Sequence, residues 1–353
     1  MDAEVKHMAT QFSVMTWNVE NLFPPGSFIS PSSRIPVTEE HFNAKVKFIA
    51  DFIAGLERKP DVIAFQEIGG QTNGDLRSIE ALQARLGGEY PHRSSSQAPD
   101  SRRIRVVFLS RLELKLPKDI TVFPPGPLET VPDFGGASIS KMGRGALKVE
   151  VEPQVGSGIR LINVHLKSKL LTFPREDGGT SFDPRNENER AIGAGIALMR
   201  RAAEAVTVRS LINAEMEASP AVHTIVLGDF NDEPLAATSQ IFCGPADSDI
   251  KSADQNDPVR IYNLVDSIPL RGIGTQKFLA ETERFSRVHE GRGELIDHIM
   301  ASKGLVFVGE HFVVKEVRSF VNLIAGQSVT NNPNERATSV APDHAPVLVR
   351  FEL

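Results

Sequence analysis

Four short apolar runs of this sequence each end in amide, carboxylate or imidazole side chains, and this pattern limits the folds that the chain can adopt. The runs end at Asn18, Glu67, His165 and Asp229. Apolar runs of this length are typical of buried strands. Polar sites usually assemble at the carboxyl ends of strands in open α/β sheets. We therefore expect an α/β architecture in which these four strand ends meet.

Short β-rich runs alternate with a few amphipathic helices along the chain. Helices are predicted over residues 38–56, 75–86 and 189–218, where apolar residues recur at helical spacing and Thr38 suits an N-cap. Strands are predicted at residues 12–19, 61–68, 104–109, 146–151, 159–166, 224–227, 284–289, 294–301, 306–317 and 347–351. Many strands with few helices predict two packed sheets with helices outside.

A single domain is expected over residues 11–353, because no linker rich in Pro, Gly or Ser separates two halves. Residues 1–10 are expected to be a tail or a tag. Residues 168–188 form a polar loop insertion that is too long for a connector. A lid over the site and a surface insertion remain alternatives for that loop.

The composition indicates a folded chain with no disulfide framework. Hydrophobic residues make up 41% and charged residues 24%, which argues against disorder. The formal charge of −6 argues against nucleic-acid binding by bulk positive charge alone, but is compatible with a local basic groove. Cys243 is the sole cysteine, which favours a reducing compartment. We expect a cytoplasmic protein with no membrane anchor and no obligate protein partner, although prior removal of a secretion signal would leave the same pattern.

Two pairs of polar side chains share one face of an extended segment. Asn163 and His165 are two residues apart, as are Asp229 and Asn231, so each pair can address one small target. Gly228 allows the backbone to turn tightly before the second pair. A core histidine with satisfied hydrogen bonds and a turn with Asx hydrogen bonds are the structural alternatives.

Six segments, in order, closely resemble the endonuclease/exonuclease/phosphatase superfamily, whose fold is DNase I-like. The segments are Thr16-Trp17-Asn18, Gln66-Glu67, Asn163-Val164-His165-Leu166, Gly228-Asp229-Phe230-Asn231, Ile296-Asp297 and Asp343-His344. The sequences of residues 18–23 and 228–234 most resemble the corresponding sequences of bacterial nuclease-like members. The resemblance implies a DNase I-like four-layered α/β sandwich with two central mixed β-sheets, and divalent-metal-dependent hydrolysis of phosphate esters.

The resemblance also implies roles for individual residues. The implied metal ligands are Glu67, Asn18 and Asp343. The implied catalytic residues are His344 with Asp297 orienting it, Asp229 and Asn231 positioning water and phosphate, and Asn163 and His165 binding phosphate. Mg²⁺ or Mn²⁺ is the expected cofactor, with Ca²⁺ as an alternative, because oxygen ligands suit hard cations. Either His344 or Asp229 is the base, and we treat them as a coupled pair.

Three positions leave alternatives open. His298 stands where nuclease members often carry an aromatic residue, and we expect a packed strand residue rather than an altered substrate contact. Pro342 stands where a serine often precedes the final Asp-His pair, which leaves the local backbone bonding open. Glu20 is expected to be a salt-bridge partner rather than a further ligand.

Basic residues near the predicted site favour a nucleic-acid substrate. Lys167 follows the His165 strand directly, and Arg105 and Arg190 are further candidates for substrate binding. Others are Arg102, Arg103, Lys141, Arg144 and Lys169, and the alternative is that such residues only solvate strands. The expected activity is that of a DNase-type nuclease. A phosphomonoesterase, or a phosphatase directed at phospholipid or inositol phosphates, is the alternative enzyme, and a binding module is the non-enzymatic alternative.

Overall fold

A computed structural model describes residues 10–29, 35–175, 180–181, 186–244, 259–265, 284–308, 311–324, 326–330 and 335–353. The helices of these ranges are α1 (Glu39–Ala54), α2 (Arg77–Arg85), α3 (Glu187–Ala218) and α4 (Ala237–Cys243). The sheet strands are β1 (Gln11–Leu22), β2 (Val62–Ile68), β3 (His92–Ser95), β4 (Arg105–Ser110), β5 (Lys115–Val122), β6 (Lys141–Gln154), β7 (Ser157–His165), β8 (His223–Asp229), β9 (Ile261–Asn263), β10 (Asp297–Ser302), β11 (Val314–Ser319) and β12 (Val347–Glu352).

Short ribbons and 3-10 turns connect these elements. The two-stranded ribbons pair Val131–Pro132 with Ser138–Ile139, Phe173–Pro174 with Thr180–Ser181, Arg287–His289 with Arg292–Glu294, and Phe307–Val308 with His311–Phe312. The 3-10 turns are Phe134–Gly136, Lys303–Leu305 and Val321–Leu323.

The strands form two six-stranded mixed sheets. The order is β11-β12-β1-β2-β4-β3 in the first sheet and β9-β10-β8-β7-β6-β5 in the second. Each sheet has one central parallel pair, with Asn18 of β1 opposite Gln66 of β2 and His165 of β7 opposite Asp229 of β8. Parallel neighbours end at the same edge of a sheet, so each pair presents two polar strand ends together.

Three apolar clusters separate four layers. One lies between the sheets and includes Phe108 and Leu161. Another lies between the first sheet and α1 and α2, and includes Trp17 and Ile49. The third lies between the second sheet and α3 and α4, and includes Ile212. This helix–sheet–sheet–helix order confirms the predicted DNase I-like sandwich.

Most predicted elements are present, with shifted ends. Thr38 caps α1 as predicted, because its Oγ1 accepts a hydrogen bond from the backbone N of His41 at 3.1 Å. The helix α3 begins at Glu187, two residues earlier than predicted. The strand predicted at residues 306–317 is instead divided between a ribbon and β11.

Parts of two predicted segments lie outside the described residues. These are residues 1–9 of the tail, and residues 176–179 and 182–185 of the loop at 168–188. Among the helices within the described ranges, none combines the length and apolarity needed to cross a membrane.

Candidate active site

The ends of β1, β2, β7 and β8 meet at one pocket of about 230 Å³. Most of the predicted site residues line it, and they come from both sheets and from the segment before β12. They are Asn18, Glu67, His165, Asp229, Asn231, Asp343 and His344. Distant parts of the chain therefore converge on a single site, as the strand ends predict.

A chain of buried groups runs from Asp297 through His344 towards Asp229. The Nδ1 atom of His344 lies 2.6 Å from Oδ2 of Asp297, and its Nε2 atom lies 4.0 Å from Oδ2 of Asp229. Trp17 fixes the backbone at His344, because its Nε1 donates a hydrogen bond to the backbone O of His344 at 3.0 Å. The imidazole thus has one nitrogen bound to a carboxylate and the other directed into the pocket.

Charge around His344 and Asp229 opposes the effect of burial on the imidazole. Burial alone lowers the pKa of His344, but the charges of Asp297 and Asp343 and the hydrogen bond that His344 donates to Asp297 outweigh it and raise the pKa to about 10. Burial raises the pKa of Asp229 to about 6, although the charge of His344 opposes this rise. Near neutral pH, His344 is therefore protonated and Asp229 is largely ionised.

Asp229 is held by three neighbours, two on other strands and one in the turn that follows it. Its Oδ2 accepts a hydrogen bond from Nδ2 of Asn18 at 3.0 Å, and its Oδ1 accepts one from the backbone N of Asn231 at 2.8 Å. The Nε2 atom of His165 lies 3.3 Å from the same Oδ2. Burial, together with the positive charges of Arg144 and His344, lowers the pKa of His165 well below its usual value. His165 is therefore a neutral hydrogen-bonding group.

The backbone at the pocket adopts left-handed conformations at non-glycine residues. Glu67 has a φ of 62° and Asn231 a φ of 52°. Such conformations are costly and are often found at functional sites. Gly228 has a φ of +147°, and a Cβ added there would lie 2.0 Å from the backbone O of Val164. The close contact between β7 and β8 therefore requires glycine at this position.

The donor set fits a divalent cation. Glu67 and Asp343 present carboxylates to the pocket, and Asn18 adds an amide, which are donors that suit hard cations. Ligand atoms of Asp229, Asp297 and His344 also lie within 4.8 Å of one another and could hold a metal. In the second set, Nδ1 of His344 is hydrogen-bonded to Asp297 at 2.6 Å. In the first set, Oδ1 of Asn18 accepts a hydrogen bond from the backbone N of Glu20 at 3.0 Å.

Crowding of carboxylates supports this fit. The pKa of Glu20 is raised to about 7, mainly by burial and then by the negative charge of Asp343. Lys45 and Arg336 counteract this rise but do not cancel it. A cation next to Asp343 would relieve the repulsion.

Five cationic side chains surround the acidic centre of the pocket. They are Arg102, Arg144, Lys169, Arg287 and Arg336. The first three are among the basic residues that the sequence suggests for substrate binding. Arg287, in a ribbon, and Arg336, in the segment before Asp343, are not. Neither of these two follows an apolar run, so the strand-end signal does not reveal them.

Asn163 is not at the pocket, contrary to its predicted contact with phosphate. Its side chain is fully buried. Its Nδ2 donates to the backbone O of Phe65 and of Val107, both at 3.1 Å, and its Oδ1 accepts from Nε2 of Gln66 at 2.8 Å. All three partners belong to β2 and β4 of the opposite sheet, so Asn163 joins the two sheets.

Three predicted substrate-binding residues also lie away from the pocket lining. Arg105 is fully buried, and its Nη2 donates to the backbone O of Asn73 at 2.7 Å. The Nζ of Lys167 bonds to the backbone O of Ser168 at 3.0 Å, and Lys167 is not among the residues that line the pocket. Arg190 is exposed on the first turn of α3 and pairs with Glu187. Adjacency in sequence therefore did not predict which cations line the pocket.

Two open alternatives are resolved by contacts. His298 is a packed strand residue, as expected, because it is fully buried and its Nε2 lies 2.9 Å from the backbone O of Asp232. Glu20 is a salt-bridge partner, as expected, with its carboxylate oxygens 2.8 and 3.0 Å from Nε and Nη2 of Arg336. Lys45 completes that cluster, with its Nζ 3.8 Å from Oε2 of Glu20.

Solved structures with the same fold share little sequence with this chain. The catalytic domain of human Nocturnin with bound sulfate is 14% identical, with a TM-score of 0.52, 97% of this chain covered and 94% of that chain. The 3′ phosphatase NExo from Neisseria, bound to a product DNA hairpin, is 16% identical, with a TM-score of 0.51 and 97% and 100% covered. Humanized D. rerio TDP2 is 13% identical, with a TM-score of 0.50 and 97% and 99% covered.

Sequence comparison identifies the family more directly than these distant structures. No curated protein sequence matches the chain. The model of the endonuclease/exonuclease/phosphatase family matches residues 15–318, which include the ends of β1, β2, β7 and β8. This chain therefore belongs to the endonuclease/exonuclease/phosphatase family of phosphoester hydrolases.

Proposed function

We propose that this protein is a divalent-metal-dependent phosphodiesterase of the DNase nuclease type. The observation that supports this most is the buried chain from Asp297 through His344 to Asp229, which faces the carboxylates of Glu67 and Asp343 in one pocket. Such a site has a proton-transfer pair on one side and oxygen donors for a cation on the other. Both are needed for attack of water on a phosphate anion.

Glu67, Asp343 and Asn18 would hold the cation, which when bound neutralises the phosphate and polarises its phosphoryl group. The chain's own residues provide the proton transfer. The 4.0 Å gap between Asp229 Oδ2 and His344 Nε2 is too long for a direct hydrogen bond. Both atoms can therefore contact the same reacting oxygen.

Within the coupled pair, Asp229 is the better proton acceptor. His344 already carries a proton near neutral pH, whereas Asp229, with a pKa of about 6, is mostly ionised. Asn18 and Asn231 orient the carboxylate through their hydrogen bonds. Protonated His344 then places positive charge and an N–H donor where negative charge develops.

Neutral His165 supplies a further polar group at the pocket. Its Nδ1 is buried and has no hydrogen-bond partner among the described residues, and its Nε2 lies 3.3 Å from Oδ2 of Asp229. Nε2 faces the Asp229 carboxylate and therefore carries the proton of the neutral ring, so Nδ1 is a hydrogen-bond acceptor. A phosphoryl oxygen beside Asp229 would accept a hydrogen bond from Nε2.

The cations around the pocket support a polymeric substrate. Arg102 and Arg144 line the pocket together with Lys169, Arg287 and Arg336, and such residues can hold phosphates that flank a scissile bond. The structural neighbour NExo is described with a product DNA hairpin, which makes DNA the first substrate to test. Hydrolysis of a phosphomonoester is the second candidate, because a pocket of about 230 Å³ suits a terminal phosphate, and NExo is described as a 3′ phosphatase.

A substrate panel tests both candidates. Plasmid DNA, single-stranded oligonucleotide, RNA, a chromogenic diester and a chromogenic monoester would each be incubated with Mg²⁺, Mn²⁺ or Ca²⁺. We expect DNA cleavage that EDTA abolishes and that His344→Ala and Asp229→Ala each reduce by about 100-fold or more. His92→Ala, which changes a histidine on β3 outside the pocket lining, is the matched control and should retain activity.

The outcomes separate the proposals. Release of phosphate from the monoester with all DNA intact would favour the phosphatase. If every substrate remained intact with every metal, the phosphoesterase proposal itself would be wrong.

A further inference from the structure

The antiparallel pairing of β6 with β7 ends just before the pocket. The last paired residues at this end are Ala146 and Val164. Continuing the same register would place Gly143 opposite Lys167, but these two residues do not pair with each other. Their backbone N–H groups therefore need other acceptors, because unpaired buried amides are costly.

Glu204 of α3 accepts both of these hydrogen bonds. Its Oε1 accepts from the backbone N of Gly143 at 2.8 Å, and its Oε2 accepts from the backbone N of Lys167 at 2.6 Å. The side chain of Glu204 is thus inserted where the two strands separate. It is 1% exposed, and a carboxylate is rarely buried to this extent without such partners.

A second residue of α3 holds the same segment. Arg201 lies about one helical turn before Glu204, and its Nη1 donates to the backbone O of Lys167 at 3.1 Å. Its Nε also lies 3.3 Å from Oδ2 of Asp232. Both backbone groups of Lys167 are therefore fixed by the long helix rather than by a neighbouring strand.

The two segments that separate at Glu204 form walls of the pocket. Arg144, which follows Gly143, lines one wall, and Ser168 and Lys169, which follow Lys167, line another. Arg144 also bridges the gap, because its Nη1 lies 3.4 Å from the backbone O of Leu166. The spacing of these walls depends on the group that separates the strands.

We infer that Glu204 is a positioning residue that holds β6 and β7 apart and thereby sets Arg144 and Lys169 for binding a substrate phosphate. This inference rests on the proposed phosphoesterase function for its substrate. It assigns Glu204 no contact with the reacting atoms. A carboxylate is required because it offers two acceptor oxygens to two N–H donors, whereas a carboxamide offers one oxygen and turns an N–H towards the second donor.

The test compares Glu204→Gln with Glu215→Gln, both well below the thermal unfolding transition. Glu215 is the matched control, because it also lies on α3 and its carboxylate contacts Lys148 at 2.7 Å and Arg160 at 3.2 Å, but it does not line the pocket. We expect Glu204→Gln to raise KM for the cleaved diester about tenfold with a smaller change in kcat. Glu215→Gln should leave both constants within about twofold.

A double variant identifies the route of the effect. If Glu204 acts through Arg144, then Arg144→Ala combined with Glu204→Gln should raise KM by less than the product of the two single effects. A KM for Glu204→Gln equal to that of the wild type, or full additivity with Arg144→Ala, would overturn the inference and leave Glu204 with a structural role.

Phosphate binding gives a readout that does not require turnover. Isothermal titration with inorganic phosphate should show Kd about tenfold higher in Glu204→Gln than in the wild type, with no change in Glu215→Gln. If the wild type binds phosphate but cleaves no substrate, the proposed function is wrong. The inference about Glu204 is then decided by comparing the phosphate Kd of the wild type with that of Glu204→Gln. Equal Kd values, or no phosphate binding by the wild type, would overturn it.

Discussion

Replacing Asn163 should destabilise the fold rather than remove a substrate contact. In Asn163→Ala, the backbone O atoms of Phe65 and Val107 lose their donor, and Nε2 of Gln66 loses an acceptor. A buried polar group left without its partner costs about 1–3 kcal/mol. Because Gln66 still bonds to Thr16 Oγ1 and Ala64 O, most of the cost falls on the two carbonyls.

The free energy of unfolding should therefore fall by about 3–5 kcal/mol, which is a large part of the stability of an ordinary domain. Asn163→Asp isolates the two donors, because it keeps the size and an acceptor oxygen but loses both N–H groups. It should destabilise at least as much as Asn163→Ala, since none of the described hydrogen-bond partners of Asn163 is a cation that could pair with a buried carboxylate. Urea unfolding followed by tryptophan fluorescence measures both, because Trp17 lies in the core.

Asn263→Ala provides a buried-amide control in the second sheet. Asn263 is 2% exposed and makes one hydrogen bond with His298 and one with the backbone N of Val265, so its removal should cost about 1–2 kcal/mol. Activity per folded molecule should stay close to that of the wild type in Asn163→Ala. Unchanged stability together with lost activity would refute this reasoning and restore the phosphate-binding role.

Further predictions concern the fold. Gly228→Ala should lower the free energy of unfolding by more than about 4 kcal/mol, because its Cβ would lie 2.0 Å from Val164 O; a wild-type urea midpoint would contradict this close contact. Burial lowers the pKa of His223 in the folded state. Below about pH 6.5 the unfolded state therefore binds a proton at this histidine more readily than the folded state does, and the free energy of unfolding decreases as the pH falls. His223→Gln should reduce this loss, and equal losses in both proteins between about pH 8 and about pH 5 would count against it. Thr38→Ala should cost about 1 kcal/mol by removing the hydrogen bond from His41 N, and an unaltered thermal midpoint would argue against the cap.

The elements that the sequence predicts best are those with a clear apolar period. The strands β1, β2, β7 and β8 are buried along nearly their whole length, so their apolar runs stand out. The strand β5 was not predicted, because its sequence contains Pro117 and its side chains are mostly exposed. An edge strand of this kind needs little apolar surface, and its pairing depends on a neighbour that local sequence does not reveal.

The acidic and imidazole groups of the site follow from strand ends, but the cations do not. Asn18, Glu67, His165 and Asp229 close the central strands of the two sheets, where topology brings them together. Arginines and lysines carry long side chains whose polar ends can lie far from their Cα atoms. Position in the chain therefore predicts poorly which of them face a pocket.

Lys167 and Lys169 show the physical reason most clearly. Lys167 directly follows the His165 strand, and this adjacency is why the sequence favours it as a substrate-binding residue. The strand ends at His165, however. The backbone N of Leu166 donates to the backbone O of Asp229 at 2.9 Å, and the backbone N of Lys167 donates to Oε2 of Glu204 at 2.6 Å. Because Glu204 redirects the chain, Lys169 is the lysine that reaches the pocket. Assigning the cations thus requires the position of α3, because Lys167 and Glu204, which make this contact, are 37 residues apart in the sequence.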